Sequence, residues 1–298
     1  MRKIIIIPLF TFFVFSSAEA QQRLVDSITK ELQQPMADTN RAVSMMRLAI
    51  DYELVDTALA YKAYRDAIKF AREKNLYYNL GRIYQNQSVL FSTAANYVES
   101  RASLDTAIVF YKKSDNPKAK KWEANAYGDI GNGLKTQNDL QGSVQYYLKS
   151  ISLFEQLGLK DELAIRYCNI STLFGDIREF NKQKEYAYMG LASAKASGLK
   201  QRMFLAYFIL AHYYNMQEDG RTAKLYLDSS KVYFDELSNI NSIDIIFSYY
   251  LISAQVFKKM NQLDSSFYYF QKSFEAQYSS YPYAAHGLIS CLENTYKV

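Results

Sequence analysis

The sequence predicts an all-α fold: a solenoid of about six antiparallel helix pairs with a capping helix at each end. Three observations predict it. A unit of 40 to 43 residues returns along the chain with the same chemistry at the same places. Within each unit, small and large residues recur three or four positions apart, the spacing of a helix face. Gly (11) and Pro (4) are too scarce among 298 residues for an all-β fold or a disordered chain.

Taken in order, the first segment reads as an address. Arg2 and Lys3 precede an apolar run of 12 residues, Ile4 to Phe15, and Ser16-Ser17-Ala18-Glu19-Ala20 then ends in an A-x-A site before Gln21-Gln22. A spanning helix needs about 20 apolar residues, so residues 1–20 are expected to be a signal peptide cleaved after Ala20. No Cys follows the site to carry a lipid. The most apolar later stretch, Ile243 to Val256, is interrupted by Asp244, Ser248, Ser253 and Gln255. The expectation is an exported, periplasmic protein with no transmembrane segment in its mature chain.

Residues 21–40 read as an N-terminal capping helix, with Leu24, Ile28 and Leu32 on one face and a stop at Pro35. Six repeats follow over residues 41–282. Gly158-Leu159-Lys160 and Gly198-Leu199-Lys200 are 40 apart, and Asn75-Leu76 holds the equivalent place earlier, where a helix C-terminus wants a residue tolerant of the left-handed conformation. Asn116, Asn239 and Pro282 punctuate the other units. On this phase the units start near Arg41, Gly81, Ala124, Ala164, Phe204 and Phe247.

The fourth position of the last five units is Tyr84, Tyr127, Tyr167, Tyr207 and Tyr250. The eighth is always small (Ser88, Gly131, Ser171, Ala211, Ala254). The eleventh is large (Phe91, Leu134, Phe174, Tyr214, Phe257). A polar turn such as Asn138-Asp139 or Glu218-Asp219 leads to a second run. That run has a small residue at the twentieth position (Ala60, Ser100, Ser143, Ala223, Ser266) and a large one at the twenty-fourth (Tyr64, Leu104, Tyr147, Leu227, Phe270). The fourth unit breaks this rule with Gln183 and Ala187. Small residues are expected where paired helices cross closely, and large ones in the gaps between them. Residues 283–298 read either as a C-terminal capping helix or as the first helix of a shortened seventh repeat.

These residues resemble the tetratricopeptide repeat family. The third unit matches best, with Tyr127, Ile130, Gly131 and Leu134, then Asn138-Asp139-Leu140, Ser143, Tyr147 and Ser150. Its period of 40 exceeds the family's 34, which implies longer helices, and Trp122 is expected just before the helix. The long period and the Asp38-Thr39-Asn40-Arg41 lead-in resemble exported sensor regions of Bacteroidetes signalling proteins. The resemblance implies a right-handed superhelix that acts by binding a protein or peptide.

Chemistry beyond binding finds no support in the sequence. Lys+Arg 35 against Asp+Glu 30 gives +5 with no basic run, far from a nucleic-acid binder. His212 and His286 are the only histidines and suit packing on helices. No metal-ligand spacing, nucleophile elbow or phosphate loop is present, so neither a cofactor nor a metal nor enzyme activity is expected. Asp161-Glu162 and Glu218-Asp219 suit helix N-termini. Cys168 and Cys291, about three repeats apart, are expected as buried free thiols. The 27 tyrosines could form a sugar-stacking platform, but most fall at interior positions of the repeat.

Binding is therefore sought on the face of the first helices. There the middle units are polar: Arg82, Gln85 and Asn86; Asn125, Asp129, Asn132 and Lys135; Asn169 and Thr172. Asn offers a donor and an acceptor, so the Asn86, Asp129, Asn169 column suits the backbone of an extended peptide; the alternative is that these residues simply face solvent. Leu205, Phe208, Ile209, Met216, Leu251 and Ile252, at the same columns later, are expected to pack. The reading is an exported scaffold or sensor module that binds a peptide or protein segment in a groove, with an extracellular carbohydrate- or small-ligand-binding module as the alternative.

Overall fold

A computed structural model describes residues 22–236 and 243–277. The expected signal peptide, Asn239, Pro282, His286, Cys291 and the expected C-terminal cap or shortened repeat at 283–298 lie outside the described residues. Thirteen helices and no strand occur among the described residues. Helix α1 covers residues 22–32. The pairs are then α2 (Asp38–Tyr52) with α3 (Thr57–Glu73), α4 (Tyr77–Thr93) with α5 (Tyr97–Lys113), and α6 (Ala119–Thr136) with α7 (Leu140–Leu157). They continue as α8 (Lys160–Asp176) with α9 (Phe180–Ser197), α10 (Lys200–Met216) with α11 (Gly220–Glu236), and α12 (Ile243–Lys259) with α13 (Leu263–Gln277). The chain divides into two compact units, the first ending at Leu153 and the second beginning at Phe154, inside α7.

The turns explain the pairing. Each first helix that is followed by a tight turn ends on a residue at positive φ: Ala95 (59°), Asn138 (63°), Arg178 (61°), Glu218 (61°) and Asn261 (58°). That conformation lets the next amide reach back to the carbonyl at the unit's eleventh position: Asn96 N to Phe91 O (2.8 Å), Asp139 N to Leu134 O (2.9 Å), Glu179 N to Phe174 O (2.8 Å), Asp219 N to Tyr214 O (3.0 Å) and Gln262 N to Phe257 O (2.9 Å). With the companion bonds, such as Asn138 N to Lys135 O (2.9 Å), each turn is a Schellman motif. Asn75, Gly158 and Gly198 take the same conformation at the ends of α3, α7 and α9. Asp56 caps α3 through Ala58 N (2.8 Å) and Leu59 N (3.1 Å), and Asp139 and Asp219 accept from Gly142 N and Thr222 N at the starts of α7 and α11.

Paired helices then meet at their small residues. Ser100 Oγ donates to Ser88 O (2.8 Å), Ser143 Oγ to Gly131 O (2.8 Å) and Ser266 Oγ to Ala254 O (2.9 Å), each from the twentieth position to the eighth. The fourth repeat reverses the bond: Ser171 Oγ, on the first helix, donates to Gln183 O on the second (2.8 Å). Its departure from the rule is thereby accommodated, because Gly175 makes room for the buried Gln183 side chain; a Cβ at Gly175 would lie 2.6 Å from Gln183 Nε2.

In the first unit, successive first helices are tied in register. Asn79 Nδ2 donates to Thr39 O (3.3 Å) and Asn86 Nδ2 contacts Met46 Sδ (3.4 Å), both 40 residues apart. The second unit repeats the device, with Arg202 Nε donating to Asp161 O (3.2 Å) and Asn215 Nδ2 to Gln255 Oε1 (2.9 Å). Helix α1 rests on α2. Arg41 donates to Leu32 O (2.9 Å) and Gln34 O (3.1 Å), and Ser44 Oγ to Glu31 (2.6 Å).

Two expectations change. Leu24 is exposed, and Val25 takes its place beside Ile28 and Leu32, a spacing of three and four that follows one helix face more closely. Trp122 lies inside α6, because Asn116-Pro117 forms the turn, with Asn116 Oδ1 accepting from Lys118 N (2.9 Å), and the helix begins at Ala119.

Two glycines separate close approach from open space. A Cβ on Gly81 would lie 2.5 Å from the Tyr111 ring, whereas one on Gly133 would meet nothing within 4 Å. Gly81→Ala is expected to destabilise the protein by about 1–3 kcal/mol through overpacking. Gly133→Ala is expected to stabilise it by about 0.5–1 kcal/mol by removing backbone freedom from the unfolded chain. Urea unfolding followed by far-UV circular dichroism checks both signs.

Candidate functional site

In the first unit, α4 and α6 lie against one another and carry seven of the nine polar residues read from the sequence. Three rungs cross between repeats. At the N-terminal end, the Arg82 guanidinium stacks on Trp122, 3.5 Å from the ring centroid. One turn on, Gln85 Nε2 donates to Asp129 Oδ2 (2.7 Å) while Gln85 Oε1 accepts from Tyr111 OH (2.6 Å). Asn86 reaches the other way, to Arg82 O (2.8 Å) and Met46.

Burial sorts these residues. Gln85 is buried with both ends of its amide engaged, so it supports Asp129 from behind rather than lining a surface. Arg82, Asn86, Asn125, Asp129 and Lys135 are half-buried, and Asn132 is exposed and accepts from Tyr147 OH. Burial pushes the Tyr111 hydroxyl pKa far up; the Arg82 cation opposes this, while Tyr78 and Asp129 add to it. The Gln85 acceptor thus meets a neutral phenol, fixed as a donor.

At the C-terminal ends of α4 and α6 a cavity of about 450 Å³ opens beside α5. Leu104 and Ile130 form buried walls, Val89 and Val98 stand exposed at 54% and 80%, and Ser92, Thr93, Thr136 and Gln137 supply polar edges. Of the nine predicted residues, only Asp129 and Asn132 line it. Arg101, also in its lining, is fixed by Asp105 (2.9 Å) and by stacking on Tyr146 at 4.5 Å. The sequence reading missed Arg101, Val89 and Val98 because they sit on α5 or on the outer side of α4, off the columns chosen; the run of Ser92, Thr93, Tyr97 and Val98 about one turn was the available signal.

Asn169 and Thr172 lie in the second unit. Both are half-buried on α8, with Thr172 Oγ1 donating to Asn169 O (2.7 Å). The later apolar columns pack as expected: Ile209 and Ile252 are buried, and Phe208 sits against Phe204 (5.9 Å) and Tyr249 (6.1 Å). Only Met216 of that set is exposed.

The tyrosines follow a pattern that the sequence contained and the reading did not use. The fourth position pairs with the twenty-third in four repeats: Tyr127–Tyr146, Tyr167–Tyr186, Tyr207–Tyr226 and Tyr250–Tyr269, with ring centroids 6.0–6.4 Å apart. The rings of each pair are inclined 30–39° to one another, and Tyr188 OH joins the hydroxyls of Tyr214 (2.8 Å) and Tyr226 (3.0 Å). Reactive side chains are quiet by comparison. Burial pushes the Cys168 thiol up to about 12, and the nearby Arg202 cation opposes this. No group of His, Cys, Asp and Glu suited to a metal occurs among the described residues.

No family model and no curated protein sequence matches the chain. Its fold is similar to solved structures. BtubC of P. vanneervenii has a TM-score of 0.64 at 13% identity, covering 76% of this chain and 91% of that one. Aspartyl phosphate phosphatase F of Bacillus subtilis has a TM-score of 0.63 at 15% identity, covering 82% of this chain, which spans 61% of that protein. A Rap protein complexed with competence and sporulation factor has a TM-score of 0.62 at 13% identity, covering 91% and 74%. At these identities the likeness establishes the fold, an all-α solenoid of tetratricopeptide type.

The Gln85 rung gives a measurable coupling. Gln85→Ala strands the buried Tyr111 hydroxyl and is expected to cost about 1–3 kcal/mol. Adding Tyr111→Phe is expected to recover part of that loss, since the stranded donor is removed with its partner. A double-mutant cycle in urea measures the non-additivity.

Proposed function

We propose that this protein is an exported protein-interaction scaffold, or the sensing module of a signalling system, which holds a peptide or protein segment on the α4–α6 face and catalyses nothing. The observation that carries the reading is the cavity at the end of that face. Its volume of about 450 Å³ lies in the range of ligand pockets. It combines buried apolar walls, two exposed valines and hydroxyl or amide edges, which suits an apolar side chain entering from a partner whose backbone runs past polar groups. The rungs at Arg82, Gln85 and Asn86 hold the neighbouring side chains in place, which lowers the ordering cost of binding. The similar Rap structure was solved with competence and sporulation factor bound, which favours a binding role for this fold. A carbohydrate-binding reading would rest on the tyrosines, many of which pack against other aromatic rings.

Export and binding have separate tests. Expressed with residues 1–20 in a bacterium with an outer membrane, the protein is expected in the periplasmic fraction, with Gln21 as its first residue by N-terminal sequencing. For binding, Gly133 offers a plug: it lines the cavity and has open space before it. Affinity capture from the native host's envelope is expected to retain a partner on the wild-type chain and lose it on Gly133→Phe, with helicity unchanged. Equal recovery by both would remove the cavity from the binding site.

A further inference from the structure

Arg82 is held against an aromatic ring. Its guanidinium carbon lies over Trp122, 3.5 Å from the ring centroid. Its Nε is buried and has no hydrogen-bond partner. The other half-buried or stacked arginines of the first unit are satisfied: Arg41 by two carbonyls, Arg72 by Tyr84 OH (2.6 Å) and Arg101 by Asp105 and Tyr146. Arg82 is thus a partly desolvated cation held against a ring, with one buried N–H left unpaired. Of the nearby carboxylates, Asp129 is engaged by Gln85 (2.7 Å) and Glu123 faces Lys112 (3.6 Å).

Three lysines add positive charge at the start of the neighbouring helix, alongside the engaged carboxylates. Lys118, Lys120 and Lys121 open α6 just before Trp122, at the positive end of the helix. A planar guanidinium pinned by stacking presents its remaining N–H groups as a fork that matches a carboxylate, and a partly dry site strengthens the pair. We infer that the Arg82–Trp122 stack receives the side-chain carboxylate of an Asp or Glu in the bound segment. This rests on the protein-binding reading and adds the partner's chemistry: an acidic residue at one end of the segment and an apolar one in the cavity at the other.

Trp122 is the only tryptophan in the chain, so its emission reports on this site alone. The full chain is titrated with a ten-residue peptide of alternating Glu and Gly, acetylated and amidated so that only side-chain carboxylates are present, and with its Gln counterpart. The Glu peptide is expected to change Trp122 emission along a saturating curve that weakens with salt, and the Gln peptide to leave it unchanged. By calorimetry, Arg82→Gln is expected to weaken the Glu peptide about tenfold or more, and Arg82→Lys to weaken it less, since the charge stays and the fork is lost. Circular dichroism confirms that the variants fold. Equal curves for the two peptides, no emission change up to about 10 mM, or unchanged affinity in Arg82→Gln would each overturn the inference. If the envelope partner is retained by Arg82→Gln and lost by Gly133→Phe, acid recognition alone falls. If the wild-type chain captures nothing and the Glu peptide is inert, the binding reading falls with it.

Discussion

The repeats depend on how closely the two helices of a pair approach one another. In three repeats a serine hydroxyl at the twentieth position reaches a backbone carbonyl at the eighth, where the residue is too small to block it. That bond sits inside the helix interface and satisfies a polar group that burial would otherwise penalise. It fixes both the separation and the axial register of the pair. The large residues then have defined gaps to fill: Tyr147 against Gly131, Tyr111 against Gly81, and the buried rings of Tyr64 and Tyr249 in their own repeats. Neither helix of a pair could bury its apolar stripe alone, so stability is shared between neighbours.

That constraint also made most of the fold legible. Close crossing favours Ser, Ala or Gly, so small residues recur at the twentieth position in five repeats and at the eighth in the last five. The turns were legible for the same reason, since a Schellman end needs a left-handed residue at one place. Helix starts were less so. The repeat phase places Trp122 ahead of its helix, whereas the turn chemistry of Asn116-Pro117 sets the true boundary. Leu24 was misassigned by one position, a rotation of about 100° on a helix, and a single short helix carries too little periodicity to resolve it.

The candidate site was only partly readable. Columns on a helix identify residues that share a face, but the rotation of that face against its neighbour decides which column is covered. Gln85 and Asp129 both fall on the polar columns in sequence; in the fold one is buried and the other stands in front of it. Arg82 and Trp122 are 40 positions apart, and neither alone announces a stack. The cavity draws on α5 as well as on the two first helices, so no reading restricted to first helices could have outlined it.

The left-handed turn residues have a consequence for how such a chain can diverge. Ala95, Asn138, Arg178, Glu218 and Asn261 close five turns of the same geometry through backbone bonds alone. Their side chains are neutral, polar, cationic and anionic, and the backbone treats them alike. Within each unit the turn geometry itself therefore places little demand on side-chain charge, and where a charge is used, as in Glu218 with Lys259 (2.9 Å), it serves a local pair.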